Sequence, residues 1–172
     1  ANVPAVAFSA DNRLIATGSV DHRVNIWDRA AARVIQAFRG HTQAISAIEF
    51  SADASFAVTG CWDKTARVWD VASGESIQLL TGHRSAVTDI SIAPNGRQVL
   101  SASYDNTVRR WDINCRKAIP SLVSHKDWVI SLAVSPDGRQ VLTGSRDKTA
   151  KLWDLASGTL IRTLEGHTKN IN

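Results

Sequence analysis

Short apolar runs, rich in β-branched residues, alternate with clusters of turn-forming residues along the whole chain. Val3 to Phe8, Leu14 to Gly18, Val24 to Trp27 and Val34 to Phe38 are each too short for a helix, and polar clusters such as Ser9-Ala10-Asp11-Asn12 separate them. Such spacing predicts four strands joined by tight turns. The same pattern returns as Ile45 to Phe50 and Phe56 to Gly60, as Val87 to Ile92 and Gln98 to Ser103, and as Val129 to Val134 and Gln140 to Gly144. Turns stand at matching places, at Ser51-Ala52-Asp53, Ala93-Pro94-Asn95-Gly96 and Ser135-Pro136-Asp137-Gly138, the last two with proline and glycine where a β-turn accepts them. Pro4 has no N–H to give to a neighbouring strand, so the first run needs a free edge, as the innermost strand of a sheet facing a channel would have.

The repeat is metrical as well as compositional. Trp27-Asp28, Trp69-Asp70, Trp111-Asp112 and Trp153-Asp154 follow one another at intervals of 42 residues, and His41, His83, His125 and His167 keep the same step. Glycine precedes each of these histidines except His125, where Ser124 stands. A constant period of this length with Gly-His and Trp-Asp signatures resembles the WD-repeat β-propeller family. The resemblance implies an all-β fold, a β-propeller of four WD-type blades per chain, each blade a four-stranded antiparallel sheet. The blades would span 1–39, 40–81, 82–123 and 124–164, with 165–172 a tail that starts a further repeat.

Propellers hold four to eight blades. Closing four would turn each blade through about 90° and eight through about 45°, and the small residues Ala47, Ala66, Ala102 and Ala150 suit the shallower angle. The first and fourth repeats are as apolar as the middle ones, with no polar cap. Two copies are therefore expected to close an eight-bladed ring, a homodimer. Blade one has Thr17, Asp21 and Trp27 but no histidine before them, so His167 of the other copy would complete its set. Lys169 to Asn172 repeat the register of Ala1 to Pro4, so one of the two ends should be displaced. The alternative is a fragment, or an engineered half, of a larger propeller with no ligand of its own; the lack of methionine and a start at Ala1 fit a processed or excised segment.

Charge and cysteine content change the picture little. The net charge is +4, and the basic residues, among them Arg23, Arg67, Arg97, Arg139 and Lys151, are dispersed among Asp and Glu. With no run of five like charges, nucleic-acid binding on a weakly basic rim is only an alternative. Cys61 is expected near the turn between the second and third strands of its repeat and Cys115 in the turn at the opposite end, too far apart to bond, which suits a reducing compartment. No signal peptide and no apolar run of membrane-spanning length occurs, so the expectation is a cytoplasmic protein without a membrane partner.

Candidate chemistry lies at constant offsets in each repeat. Asp21, Asp63, Asp105 and Asp147 are preceded four residues earlier by Thr17, Thr59, Ser101 and Thr143 and followed six later by a tryptophan. Hydroxyl, histidine and carboxylate together suggest a hydrolase. Their recurrence in every repeat argues against one asymmetric active site, and no enzyme activity, cofactor or metal is expected, since 42-residue spacing spreads the histidines apart. A buried indole N–H needs an acceptor; a hydroxyl can take it and donate onward to a histidine whose other nitrogen reaches the aspartate. The resemblance implies such structural tetrads: His41, Thr59, Asp63 and Trp69; His83, Ser101, Asp105 and Trp111; His125, Thr143, Asp147 and Trp153. Arg110 replaces Ile26, Val68 and Leu152 of the other repeats and is expected to snorkel to an edge, or else to pair with a carboxylate.

In propellers the loops carry the function. The residue before each turn aspartate varies, as Val20, Trp62, Tyr104 and Arg146, and Trp128 stands where other repeats have Asn2, Ala44, Ala86 and Asn170. Trp62, Tyr104, Trp128 and Arg146 are the expected anchors for a protein or peptide, and should form one patch on the face that carries the Gly-His loops.

Overall fold

Short β-branched runs cannot complete their backbone hydrogen bonds alone, and in the computed structural model each repeat satisfies them as one antiparallel meander. The structure describes residues 2–115, 117–123 and 125–171. Blade one holds β1 (Ala5–Phe8), β2 (Leu14–Gly18), β3 (Val24–Asp28) and β4 (Arg33–Phe38); blade two holds β5 (Ile45–Phe50), β6 (Phe56–Cys61), β7 (Ala66–Asp70) and β8 (Ser76–Leu80). Blade three holds β9 (Val87–Ile92), β10 (Gln98–Ser103), β11 (Thr107–Asp112) and β12 (Lys117–Val123); blade four holds β13 (Val129–Val134), β14 (Gln140–Ser145), β15 (Ala150–Asp154) and β16 (Leu160–Leu164). In every blade the strands pair in chain order. The first strand begins at Ala5, not Val3. Asn2 ahead of it is held by its carbonyl, which accepts the Val20 N–H at 3.0 Å and the Ser19 hydroxyl at 3.1 Å. Ser124, the departure from the Gly-His pattern, and the chain ends Ala1 and Asn172 lie outside the described residues.

The core lies between blades rather than at one centre. Three apolar clusters fill the three joints, with Phe38, Ile45 and Trp69 in the first, Val68, Leu80, Val87 and Trp111 in the second, and Leu100, Leu122, Val129 and Trp153 in the third. Close approach at the joints depends on small residues in the second strand. A β-carbon on Gly18 would stand 2.5 Å from Ile45 Cγ2, and one on Gly60 would stand 2.8 Å from Val87 Cγ1. Polar bonds cross as well: Ser46 Oγ donates to Val87 O at 2.7 Å, Thr88 Oγ1 to Val129 O at 2.8 Å, and the carboxylates of Glu49 and Asp89 accept the N–H groups of Ile92 and Leu132, each at 2.9 Å.

Arg110 neither reaches solvent nor pairs with a carboxylate as its hydrogen-bond partner. It is buried, its Nε donates to Pro120 O at 2.9 Å, and its Nη1 donates across the joint to Leu155 O and, at 3.4 Å, to Ala156 O. Asp154 acts on it only through space, while burial pulls its pKa down.

The blades form an open series. On blade one Val6 and Phe8 are 68% and 62% exposed, whereas the matching Ile48, Phe50, Ile90 and Ile92 are all below 10%. On blade four Leu142 and Leu164 are 41% and 44% exposed, whereas Ala16, Val58 and Leu100 at the first position and Phe38, Leu80 and Leu122 at the second are at most 2%. Each terminal blade thus presents an uncovered apolar face. Among the described residues no helix is long and apolar enough to cross a membrane.

Candidate functional site

The histidines enter from the loops between blades and reach back over the second and third strands of the blade that follows. Trp69 Nε1 donates to Thr59 Oγ1 at 2.8 Å, Trp111 Nε1 to Ser101 Oγ at 3.0 Å and Trp153 Nε1 to Thr143 Oγ1 at 3.0 Å. The same hydroxyls meet Nε2 of His41, His83 and His125 at 2.7, 2.7 and 2.8 Å, and each Nδ1 lies 2.8 Å from Asp63, Asp105 or Asp147. Since the hydroxyl oxygen takes the indole proton, its own hydrogen goes to Nε2, which leaves Nδ1–H to donate to the carboxylate. Three further donors converge on each aspartate. The backbone N–H of Thr42, Arg84 or Lys126 binds Oδ2, while the hydroxyl and N–H of Thr65, Thr107 or Thr149 bind Oδ1. Those threonines are members of the network that the sequence reading missed, although they stand two residues after three of the four aspartates.

Burial alone would raise these carboxyls, but the bonds from the histidine and the threonine to Asp63 and Asp105, and from Thr149, Lys126 N–H and His125 to Asp147, hold all three well below the usual carboxylate range. Burial pulls His125 down against the opposing pull of Asp147. The hydroxyl, histidine and carboxylate follow the order of an activated nucleophile, yet Thr59, Ser101 and Thr143 are fully buried, with the oxygen engaged by an indole. Their bonds tie the incoming loop to the blade.

Blade one has half of this network. Trp27 Nε1 donates to Thr17 Oγ1 at 2.9 Å, but no histidine precedes them, Arg23 occupies the place of the threonine, and Asp21 accepts from Arg23 N–H at 3.2 Å. His167, which keeps the register, is exposed. The residues around it follow the path of the other histidine loops: Ile171 N–H donates to Ser145 O at 3.2 Å, just as Ile45 N–H donates to Ser19 O at 3.2 Å.

His41, Cys61 and Asp63 bring one ligand atom each within 4.8 Å of one another. All three atoms are already engaged, since Cys61 Sγ donates to Gln43 O and accepts Asp63 N–H while His41 and Asp63 bind each other. Burial pushes the Cys61 thiol up to about 12, far from the thiolate a metal needs. Cys61 is the last residue of β6, and Cys115 is exposed in the turn between β11 and β12; both are free thiols.

On the face of the histidine loops, the backbone repeats one bond: Trp62 N–H to Ala44 O, Tyr104 N–H to Ala86 O and Arg146 N–H to Trp128 O, at 3.0, 3.0 and 2.9 Å. This places each variable turn residue beside the start of its own blade's first strand, and its side chain can reach the next blade. Tyr104 of blade three stacks on Trp128 of blade four, with ring centroids 4.2 Å apart and planes at 28°. Arg146 stands over the same indole, 4.4 Å from its centroid. Trp62 is half exposed and shares no ring contact with this stack among the described residues. Three of the four expected anchors therefore form one cluster, and Trp62 stands apart from it.

A family model described as WD domain, G-beta repeat matches residues 1–28, 32–70, 74–112 and 116–154. Among curated proteins, the chain is similar to a U3 snoRNP-associated protein-like YAO of Arabidopsis thaliana, 48% identical over 24% of this chain and 8% of that protein. It is also similar to a U3 snoRNP-associated protein-like YAOH of Oryza sativa subsp. japonica, 48% identical over 26% of this chain and 9% of that protein. A third relative, U3 snoRNP-associated protein-like EMB2271 of Arabidopsis thaliana, is 44% identical over 25% of this chain and 9% of that protein. Each match spans about one repeat and less than a tenth of the relative's length.

Proposed function

The chain belongs to the WD domain, G-beta repeat family, and from that premise we propose that it is a non-catalytic scaffold that binds a protein or peptide through its histidine-loop face. The observation that supports this reading is the cluster of exposed Trp128 with half-buried Tyr104 and Arg146 on loops whose backbones are held by the tetrads beneath. Large aromatics and arginine are the side chains that dominate binding energy at interfaces. Trp62 on the preceding blade extends the surface. Nucleic acid is the less favoured ligand. The named relatives suggest a subunit of a ribonucleoprotein assembly as the first partner class to try. We propose a cytoplasmic location, and the free thiols of Cys61 and Cys115, which persist in a reducing compartment, support it. Peptides selected against the wild-type chain should lose about 2 kcal/mol or more of binding on alanine substitution of a true anchor among the four, with unfolding unchanged. Peptides that ignore all four substitutions would end this assignment.

A second proposal concerns the uncovered faces of blades one and four. We propose that they meet in a homodimer, so that two copies close an eight-bladed ring. The exposure of Val6, Phe8, Leu142 and Leu164, whose counterparts in the joints are buried or partly buried, supports it, and the solution mass of the purified chain tests it.

A further inference from the structure

We infer that Arg146 is the specificity residue of the histidine-loop face and that it receives a side-chain carboxylate of an acidic peptide segment. The inference rests on the scaffold reading of that face and adds the chemistry of its partner. Four features of Arg146 carry it. Its guanidinium lies 4.4 Å from the centroid of Trp128, a cation–π contact that fixes the plane of the fork. With the Asn170 amide oriented by its hydrogen bonds, Nδ2 donates to Arg146 O at 2.9 Å and Oδ1 accepts from Arg146 Nε at 3.1 Å, which pins the inner end of the guanidinium. The two terminal nitrogens make no hydrogen bond to the described residues, and Arg146 has no ion pair among them. The nearest carboxylate in its own turn, Asp147, is taken up by His125, Thr149 and the Lys126 N–H. A planar fork, held rigid with its outer edge free, matches a carboxylate in two parallel bonds.

Exposed Lys126 and Lys148 flank the stack in sequence, two residues from Trp128 and from Arg146 respectively, while the adjoining carboxylates Asp105 and Asp147 are engaged by the tetrads and Asp127 accepts the Trp128 N–H. The same geometry disfavours a single-stranded nucleic acid. Tyr104 and Arg146 stand 4.2 and 4.4 Å from the Trp128 centroid, so the indole is already stacked by the protein's own side chains where a base would have to bind. Nucleic-acid grooves rely on open aromatic platforms along a cationic track.

Fluorescence anisotropy of labelled hexaglutamate on the intact chain tests the inference, with hexaglutamine and oligouridylate as companion probes. Hexaglutamate should bind, and hexaglutamine should bind roughly tenfold or more weakly, as expected for loss of a charge-assisted pair. Arg146→Gln should lose the hexaglutamate signal while melting as wild type does, and Arg146→Lys should fail to restore it because an ammonium offers no fork. Equal binding of the two peptides, equal binding by Arg146→Gln, or no binding of hexaglutamate would overturn the inference. Oligouridylate bound more tightly than hexaglutamate, through Arg146, would overturn it in favour of nucleic acid. Selected peptides that bind through Tyr104 and Trp128 but ignore Arg146→Gln would overturn it and leave the scaffold reading standing.

Discussion

A buried indole N–H leaves a protein one choice, an acceptor within reach, and at Trp69, Trp111 and Trp153 the acceptor is a hydroxyl that passes its own proton to a histidine. Because the links are in series, removing the last one strands the others. Asp105→Ala should cost about 1–3 kcal/mol in urea unfolding by leaving the His83 N–H and the Thr107 hydroxyl without partners. Asp21→Ala should cost markedly less, since that carboxylate accepts from Arg23 N–H and the Ser19 hydroxyl and no histidine among the described residues depends on it. If the two substitutions destabilise equally, the series does not act as a unit. Depressed carboxyls also set a pH dependence. Asp63, Asp105 and Asp147 contribute stability at any pH above the unfolded value of about 3.9, and lose it as pH falls through their lower folded values. Wild type should therefore lose stability more steeply than Asp105→Ala on acidification below pH of about 4. Histidine, hydroxyl, aspartate and tryptophan were all legible from constant offsets. Thr65, Thr107 and Thr149 were legible by the same rule but easily passed over, because Arg23 breaks the column in blade one.

At the scale of the strand, the elements could be read from run length and turn chemistry, but what joins one sheet to the next could not. Arg110 shows why. Residue type suggests solvent or a carboxylate as its goal, whereas its acceptors are backbone carbonyls of Pro120 and of the Leu155–Ala156 turn, which no sequence position advertises. Blade one makes a matching link with Gln36, whose Nε2 donates to Ala72 O at 3.2 Å in blade two. At the equivalent position blade three has Pro120, which has no donor, and Arg110 supplies one from the next strand. Arg110→Leu, which restores the residue of blade four, removes a buried charge and should change stability by no more than about 1 kcal/mol. Arg110→Ala leaves a gap as well as unpaired carbonyls and should cost about 2–3 kcal/mol. A larger loss for leucine than for alanine in thermal unfolding would refute this account. Glu49 links blades two and three in the same manner, but burial pushes its carboxyl up to about 6. A raised folded value favours the protonated acid, so its contribution is greatest below the unfolded value of about 4.3 and is lost as pH rises through 6. Glu49→Gln keeps an oxygen for the Ile92 N–H and should gain at most about 2 kcal/mol near neutral pH relative to wild type, less in so far as solvent reaches the partly buried Glu49. The gain should vanish towards pH of about 4, which thermal melts across that range can check.

For the whole molecule, the period of 42 residues told how many blades there are but not how the series ends, because closure depends on what covers two faces and not on any residue pattern within a blade. Val6 and Phe8 at one end and Leu142 and Leu164 at the other are exposed at positions whose counterparts in the joints are buried or partly buried, and apolar patches of this kind mark interaction surfaces. In the proposed homodimer the two faces would serve as the two halves of one joint, and meeting head to tail twice would close the assembly about a two-fold axis. The histidine loops complement each other in the same sense. Among the described residues, Thr17 and Trp27 of blade one are bonded without an imidazole, and His167 is exposed without a hydroxyl partner. Placing His167 over Thr17 of the other copy has one steric consequence: Asn2 already holds the Val20 N–H that the arriving Asn170 carbonyl would take, so residues ahead of β1 must give way. Light scattering at micromolar concentration should thus find twice 18.7 kDa. Leu142→Glu should return the mass to that of one chain, because a carboxylate buried in the joint has no partner there. His167→Ala should weaken the dimer by about 1 kcal/mol while leaving the melting of the separated chain unchanged, since no described residue of the same chain bonds the imidazole. A stable single chain whose mass neither substitution alters would rule out the two-copy ring.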